Sequence, residues 1–320
     1  MAQCDYTGPT GSRCEEPALE QKPSCFWHDR DAEKGGQDIK ARLEERAKNH
    51  QSMEGFQLDH ADLEDAYLIN ADLSHANLTR ANLKDGHLYG INLKGARLFK
   101  TDLENANLKE SILEGVDLLG ANLDGTALQR ASWGEDTTLR NHLEAEALKA
   151  DGDRRGAEAK YLEAEEIYRL IRQRYEASGA IDLAREFFYN EMVVKRKQMP
   201  ILSIDRFWSK MVDLLCGYGE DPFRVISVMI IYVAVNALTF CILGMGSGGE
   251  TLAFHLNETL GQDLWLFGKA FYFSIVTFTT LGYGDISPIG WSRPIAAIEA
   301  LAGVFMNALF LLTFVRKLTR

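Results

Sequence analysis

From Leu58 to Leu128 a leucine occupies every fifth position, fifteen times without a miss. That period suits neither regular backbone, since a helix returns to one face every 3.6 residues and a strand every 2. Two positions before most of these leucines sits an alanine: Ala61, Ala66, Ala71, Ala76, Ala81, Ala96, Ala106 and Ala121. A fixed repeat takes precedence over local propensity, so this stretch reads as one repetitive domain. Ile91 and Val116 break the small-residue rule and predict bulged sides.

The chain has 320 residues, enough for two or three domains. Residues 1–221 are rich in charge, whereas most of residues 222–320 are apolar. The start shows no basic stretch followed by an apolar one, so the N-terminal part is expected to stay in the cytosol. The formal net charge of −11 argues against nucleic acid as a partner.

Val225 to Met245 is 21 residues without a charge, and Ile295 to Val315 is 21 residues with one, Glu299. As a helix, such a run is about 31 Å long, the thickness of a bilayer core. Lys195, Arg196, Lys197, Arg206, Lys210 and Arg224 precede the first run, and Arg316, Lys317 and Arg320 follow the second. Between Gly246 and Trp291 the only Lys or Arg is Lys269. The distribution of positive charge puts both termini in the cytoplasm and the intervening loop outside. Glu299 must face protein or water, with Ser274 and Thr277 as candidate partners.

Within that loop, Leu264 to Phe278 is apolar and aromatic but too short to cross, as expected of a re-entrant helix. TTLGYGD follows, Thr279 to Asp285. Non-helical backbone at membrane depth must be buried in protein or line a watery cavity. Gly282 and Gly284 permit backbone angles that other residues avoid. Alternating such residues can turn successive carbonyls to one side.

This segment, Pro222 to Arg320, resembles the two-span potassium channel pore domain. The resemblance implies that Thr280, Leu281, Gly282, Tyr283 and Gly284 form the ion-binding filter, with Thr279 and Asp285 supporting it. Leu281 stands where valine is commonest in that family, which leaves the backbone carbonyl unaffected. Val276 stands where some bacterial members carry a glutamate. One chain holds one filter strand, so a ring of four implies a homotetramer. Gly303 reads either as a gating hinge or as a point of close helix packing. Asn307, four residues on, either lines the cavity, as an acid or asparagine does in the inward rectifiers that this span resembles, or bonds a neighbouring helix.

The five-residue repeat, with units such as ADLSH, ANLTR and ANLKD, resembles the pentapeptide-repeat family. That family folds as a right-handed quadrilateral β-helix with the leucine and the small residue inside. Fifteen repeats would make just under four coils, about 18 Å tall at strand spacing. Acids exceed bases only mildly here, so a scaffold or interaction module is expected rather than a mimic of DNA.

Cys4, Cys14, Cys25 and His28 form C-x9-C-x10-C-x2-H, a donor set suited to structural zinc, with free surface thiols as the alternative. Residues 138–199 read as helices, with an apolar stripe at Ala157, Tyr161, Ala164, Tyr168 and Ile171 and a stop at Gly179. They fit a generic helical hairpin or, faintly, a tetratricopeptide pair. Trp208, Met211, Val212 and Leu215 give an amphipathic stretch suited to the cytoplasmic membrane face, as a force coupler or a plain anchor.

The expected architecture is multidomain. It comprises a cysteine/histidine segment and linker helix at 1–55, a pentapeptide-repeat β-helix at 56–135 and a cytosolic helical hairpin at 136–200. An amphipathic interfacial helix at 201–221 and an all-α two-span pore with a re-entrant helix at 222–320 complete it. The expected function is passive K⁺ conduction in the cell membrane, gated or scaffolded by the repeat domain, with a cytosolic protein or ligand as its partner. The alternative is a membrane-tethered scaffold with a vestigial pore. No catalytic triad, phosphate loop or nucleotide signature is visible, so an enzyme is not expected.

Overall fold

The computed structural model describes residues 2–9, 11–34, 38–135, 137–248, 250–254 and 260–318. Arg320, counted above among the basic flanks, lies outside them. The chain divides into two compact units, Met1–Arg206 and Phe207–Arg320.

In the first unit the five-residue period becomes a corner. Every fifth residue from His60 to Arg130 has a positive φ, between 54° and 72°. Most of these corners are Gly, Asn, Asp or His, which tolerate the left-handed region best. Parallel bridges join residues twenty apart, from Gln57↔Asn77 to Ile112↔Ser132, so one coil takes four five-residue sides. All fifteen leucines point inward and are buried. Met53 and Trp133 occupy the same inward position one repeat beyond each end of the leucine series. Three buried hydroxyls sit at small-residue positions, and each donates to a backbone carbonyl: Thr101 to Leu78, Ser111 to Leu108 and Thr126 to Leu103.

The bulges expected at Ile91 and Val116 are absent. Both side chains are buried, and the bridges Asp72↔Asn92 and Arg97↔Asp117 run on beside them. The residues twenty before them are Ala71 and Ala96, and Ser111 follows Ile91 by twenty, so the larger side chains meet small neighbours in the stack.

Each end of the coil stack is an open strand edge that must be covered. At the first end, helix α1 (Asp38–Lys48) lays Ile39, Leu43 and Ala47 onto the core. Glu44 on α1 accepts the Tyr67 N–H at 2.9 Å, and the Trp27 carbonyl accepts the Gln57 N–H at 2.8 Å. At the far end, the Tyr175 hydroxyl donates to the Leu128 carbonyl at 3.3 Å and accepts from Trp133 Nε1 at 2.7 Å, and Arg174 donates to the Thr126 carbonyl.

Tyr175 and Arg174 belong to α3 (Arg154–Ala177), which packs with α2 (Arg140–Ala150) and α4 (Ile181–Gln198). The expected stripe on α3 is buried throughout, and Gly179, at φ 75°, follows its end. The expected hairpin is therefore a three-helix group. Its extra member, α2, buries Asn141 and His142 beside Ala145, so it lacks the apolar stripe that would have marked it.

Helix α5 (Ile204–Cys216) carries the amphipathic stretch, with Phe207 and Trp208 exposed. The second unit then contains α6 (Pro222–Leu243), α7 (Leu260–Phe278) and α8 (Ser292–Leu318). Asp221 caps α6 by accepting the N–H groups of Phe223 and Arg224, with Pro222 at the first helical position, so the helix starts earlier than hydropathy predicted. Gly244, at φ 86°, ends it. The unit is not purely α as expected. Strands β1 (Met245–Ser247), β2 (Glu250–Leu252) and β3 (Ile286–Pro288) form an antiparallel sheet in the order β2-β1-β3. These strands are three residues each, too short to leave a readable alternation in the sequence.

Candidate functional site

Thr279 to Asp285 leave the C-terminal end of α7 and run into β3. The first turn of this path is fixed by α7 itself. The N–H groups of Thr280 and Leu281 donate to the Thr277 and Val276 carbonyls, each at 3.0 Å, and the Thr279 hydroxyl donates to the Ile275 carbonyl at 2.7 Å. The carbonyl end of a helix carries partial negative charge, which favours a cation nearby. Thr280, Gly282 and Gly284 have φ of 59°, 59° and 78°, while Leu281 and Tyr283 do not have positive φ. Such an alternation is able to turn successive carbonyls toward one side of a strand.

A three-helix frame stands behind the strand. The buried Ser274 hydroxyl on α7 lies 3.0 Å from the Val233 carbonyl of α6 and against Oε1 of the buried Glu299 on α8. Of the two expected partners of Glu299, Ser274 is the one that meets it. The other oxygen of Glu299 has no hydrogen bond among the described residues. One turn further along α8, Gly303 packs so closely on α7 that an added Cβ would collide with the Phe278 carbonyl. Asn307, another turn on, is exposed in the single chain, and its side chain forms no hydrogen bond among the described residues.

The end of the frame beside Asp285 is tied by the Ser292 hydroxyl, which donates to the Gly244 carbonyl at 2.6 Å, and by β1 pairing with β3 just past Asp285. Tyr272 of α7 lies close to Asp285. At the other ends of the two long helices, Arg316 pairs with Glu220 at 3.3 Å and Arg224 with Asp213 at 3.2 Å. Sequence reasoning missed the sheet and these ion pairs. The nearest signal was the run of charges at Asp213, Glu220, Asp221 and Arg224 just before an apolar span.

In the first unit, Cys4, Cys14, Cys25 and His28 converge, with their ligand atoms within 4.8 Å of one another. The residues fit a metal ion. None of the five cysteines forms a disulfide.

Residues 228–320 match the family model described as Ion channel, and residues 57–95 and 96–132 match that of Pentapeptide repeats, in eight copies. Protein LctB of Bacillus caldotenax is 30% identical over 107 residues, which are 33% of this chain and 79% of that protein. Two-pore potassium channel 4 of Arabidopsis thaliana is 43% identical over 56 residues, 18% of this chain, and the match spans only 20% of the plant protein's length. Among solved structures, the pentapeptide repeat protein Rfr23 from the cyanobacterium Cyanothece 51142 is 34% identical, with 26% of this chain and 61% of that one covered and a TM-score of 0.20. The pentapeptide repeat protein alr5209 from Nostoc PCC 7120 is 29% identical, with 30% and 85% covered and a TM-score of 0.23.

Proposed function

The chain belongs to the ion channel family and carries pentapeptide repeats ahead of its pore segment, and from that premise we propose that it is a potassium-selective channel built from four copies of the chain. The observation that carries this reading is the alternating sign of φ along Thr280 to Gly284 at the carbonyl end of α7. Four such strands around an axis would stack rings of carbonyl oxygens able to replace the water shell of K⁺. Thr280, Leu281, Gly282, Tyr283 and Gly284 bind the ion in this reading, and Thr279 and Asp285 hold the strand in place. Leu281 and Tyr283 are exposed in the single chain, which leaves their side chains for neighbouring copies to cover.

α6 and α8 cross the cell membrane, and α7 enters and leaves it on the outer side. Arg224 at the start of α6 and Arg316 and Lys317 at the end of α8 mark the cytoplasmic face, where both termini lie. The coils form a right-handed quadrilateral β-helix that gates or scaffolds the pore. The chain then reads as five parts, 1–55, 56–135, 136–200, 201–221 and 222–320. Ions pass through without chemistry on a substrate.

Potassium flux into liposomes tests this reading. Wild-type protein should pass K⁺. Gly282→Ala should abolish the flux or its selectivity while the tetramer survives, because a Cβ at φ 59° strains the strand although no atom lies within 4 Å to block it. A wild-type tetramer that passes no K⁺ would instead support the membrane-tethered scaffold with a vestigial pore.

A further inference from the structure

We infer that Cys4, Cys14, Cys25 and His28 hold a structural zinc ion, and that this ion locks the cap over the first coil of the repeat domain. The inference stands apart from the pore reading. Its first support is distance. With Zn–S near 2.3 Å and Zn–N near 2.0–2.1 Å, a tetrahedron spaces two sulfurs about 3.8 Å apart and a sulfur and a nitrogen about 3.6 Å apart. Cys14 Sγ and Cys25 Sγ are 3.8 Å apart, and His28 Nδ1 is 3.7 Å from Cys4 Sγ and 3.2 Å from Cys25 Sγ.

The second support is the histidine tautomer. His28 Nε2 lies 2.9 Å from the Glu54 carbonyl oxygen, which can only accept. Nε2 therefore carries the proton, and the lone pair of Nδ1 points into the sulfur cluster. A ligating histidine is commonly oriented by such a bond from its other nitrogen. The Cys25 N–H donates to Cys4 Sγ at 3.2 Å, which suits a thiolate. Tyr6 stacks on the His28 ring at 3.8 Å, and Cys4 and Cys25 are buried, so the cluster is largely shielded from water, with Cys14 and His28 half-buried.

The donor set selects the metal. Three thiolates and one imidazole close a tetrahedron without an open position, as in structural zinc sites. Iron–sulfur clusters are usually held by four cysteines.

The location gives the ion its role. Among the described residues, the stretch from Ala2 to Lys34 contains two isolated bridges and no helix. It has little regular structure of its own, so a metal supplies much of its folding energy. Trp27 lies between two of the ligands. Its ring is buried against Phe56, and its carbonyl takes the Gln57 N–H that would otherwise end the stack unpaired. His28 reaches the Glu54 carbonyl on the same first coil. Fixing Cys25 and His28 thus fixes the segment that covers the strand edge.

The test uses the full chain, purified in detergent without chelator. Elemental analysis should find about one zinc per chain, and the Cys14→Ser, Cys25→Ser double variant should lose it. Stripping zinc from the wild type should speed hydrogen exchange at the amides of Gln57 and Leu58, leave Asn107 to Ala127 protected, and be reversed when zinc is restored. Chelation of the wild type keeps the test decisive if the double variant fails to fold. Zinc-free protein with a protected first coil, iron in place of zinc, or zinc content unchanged in a folded double variant would overturn the inference.

Discussion

Gly303 has no side chain, and the Phe278 carbonyl lies where one would begin. Of the two readings of this glycine, the structure favours close packing. A methyl there must push α8 away from α7, and overpacking of this kind costs about 1–3 kcal/mol per site. Gly303→Ala should therefore lower the melting temperature of the assembled protein in detergent. A variant with wild-type melting but altered opening would favour the hinge instead. Asn307 follows one turn later, beyond the end of α7, where we place the cavity below the filter. Four aspartates there would surround the ion path with negative charge. Asn307→Asp channels should gain strong voltage-dependent block by internal polyamine, and unchanged block in patch recordings would remove Asn307 from the cavity.

At the scale of elements, α2 is held by polar contacts that centre on His142. Its Nδ1 lies 3.1 Å from the Tyr168 hydroxyl and its Nε2 3.0 Å from Lys197 Nζ, with Glu146 at 3.8 Å and the Tyr161 ring edge beyond. Burial, then the Lys197 charge, lower its pKa from the ordinary 6.5 to about 4. The unfolded chain thus binds the proton more readily between those values, so stability is full above pH 6.5 and falls as the pH drops toward 4. The difference is on the order of 3 kcal/mol. The melting temperature should drop between pH 7 and pH 5, and His142→Gln should flatten that drop. Equal slopes in the two proteins would show that the acid sensitivity arises elsewhere.

The same helix shows where the sequence was hard to read. α3 was legible because Ala157, Tyr161, Ala164, Tyr168 and Ile171 form a stripe that packing then buried. α2 was not, since its buried face is Asn141 and His142, paid for by partners on helices far along the chain, including Asn141 to Glu163 at 2.9 Å. The end of α7 at Phe278 was legible from the threonines and glycines after it. The leucines of the repeat were legible as an inward set, whereas the absence of bulges at Ile91 and Val116 depended on neighbours twenty residues away. In the pore segment the glycine spacing was visible, but the pairing of β3 with β1 joins residues about forty apart and left no local signal. The four metal-binding candidates were legible as residue types. Their convergence depended on a fold with almost no regular structure.

At the scale of the whole molecule, the two long helices separate this chain from a soluble one. Only 33% of the most apolar window of α6 and 17% of that of α8 are buried within the chain. A core helix of a soluble protein would be mostly covered. Here Ile230, Ile231, Val235, Phe305 and Leu312 stay exposed, as expected of helices that lipid or other subunits cover. In the proposed assembly, neighbouring copies would cover part of this surface and a bilayer the rest. The proposed pore would discriminate between K⁺ and Na⁺ by its backbone carbonyls. The most direct measurement is the reversal potential of the wild-type protein in a planar bilayer, with K⁺ on one side and Na⁺ on the other. A K⁺-selective pore should give a potential displaced far from zero in the direction of K⁺ selectivity; a reversal at zero, with both ions carrying current equally, would rule such a pore out.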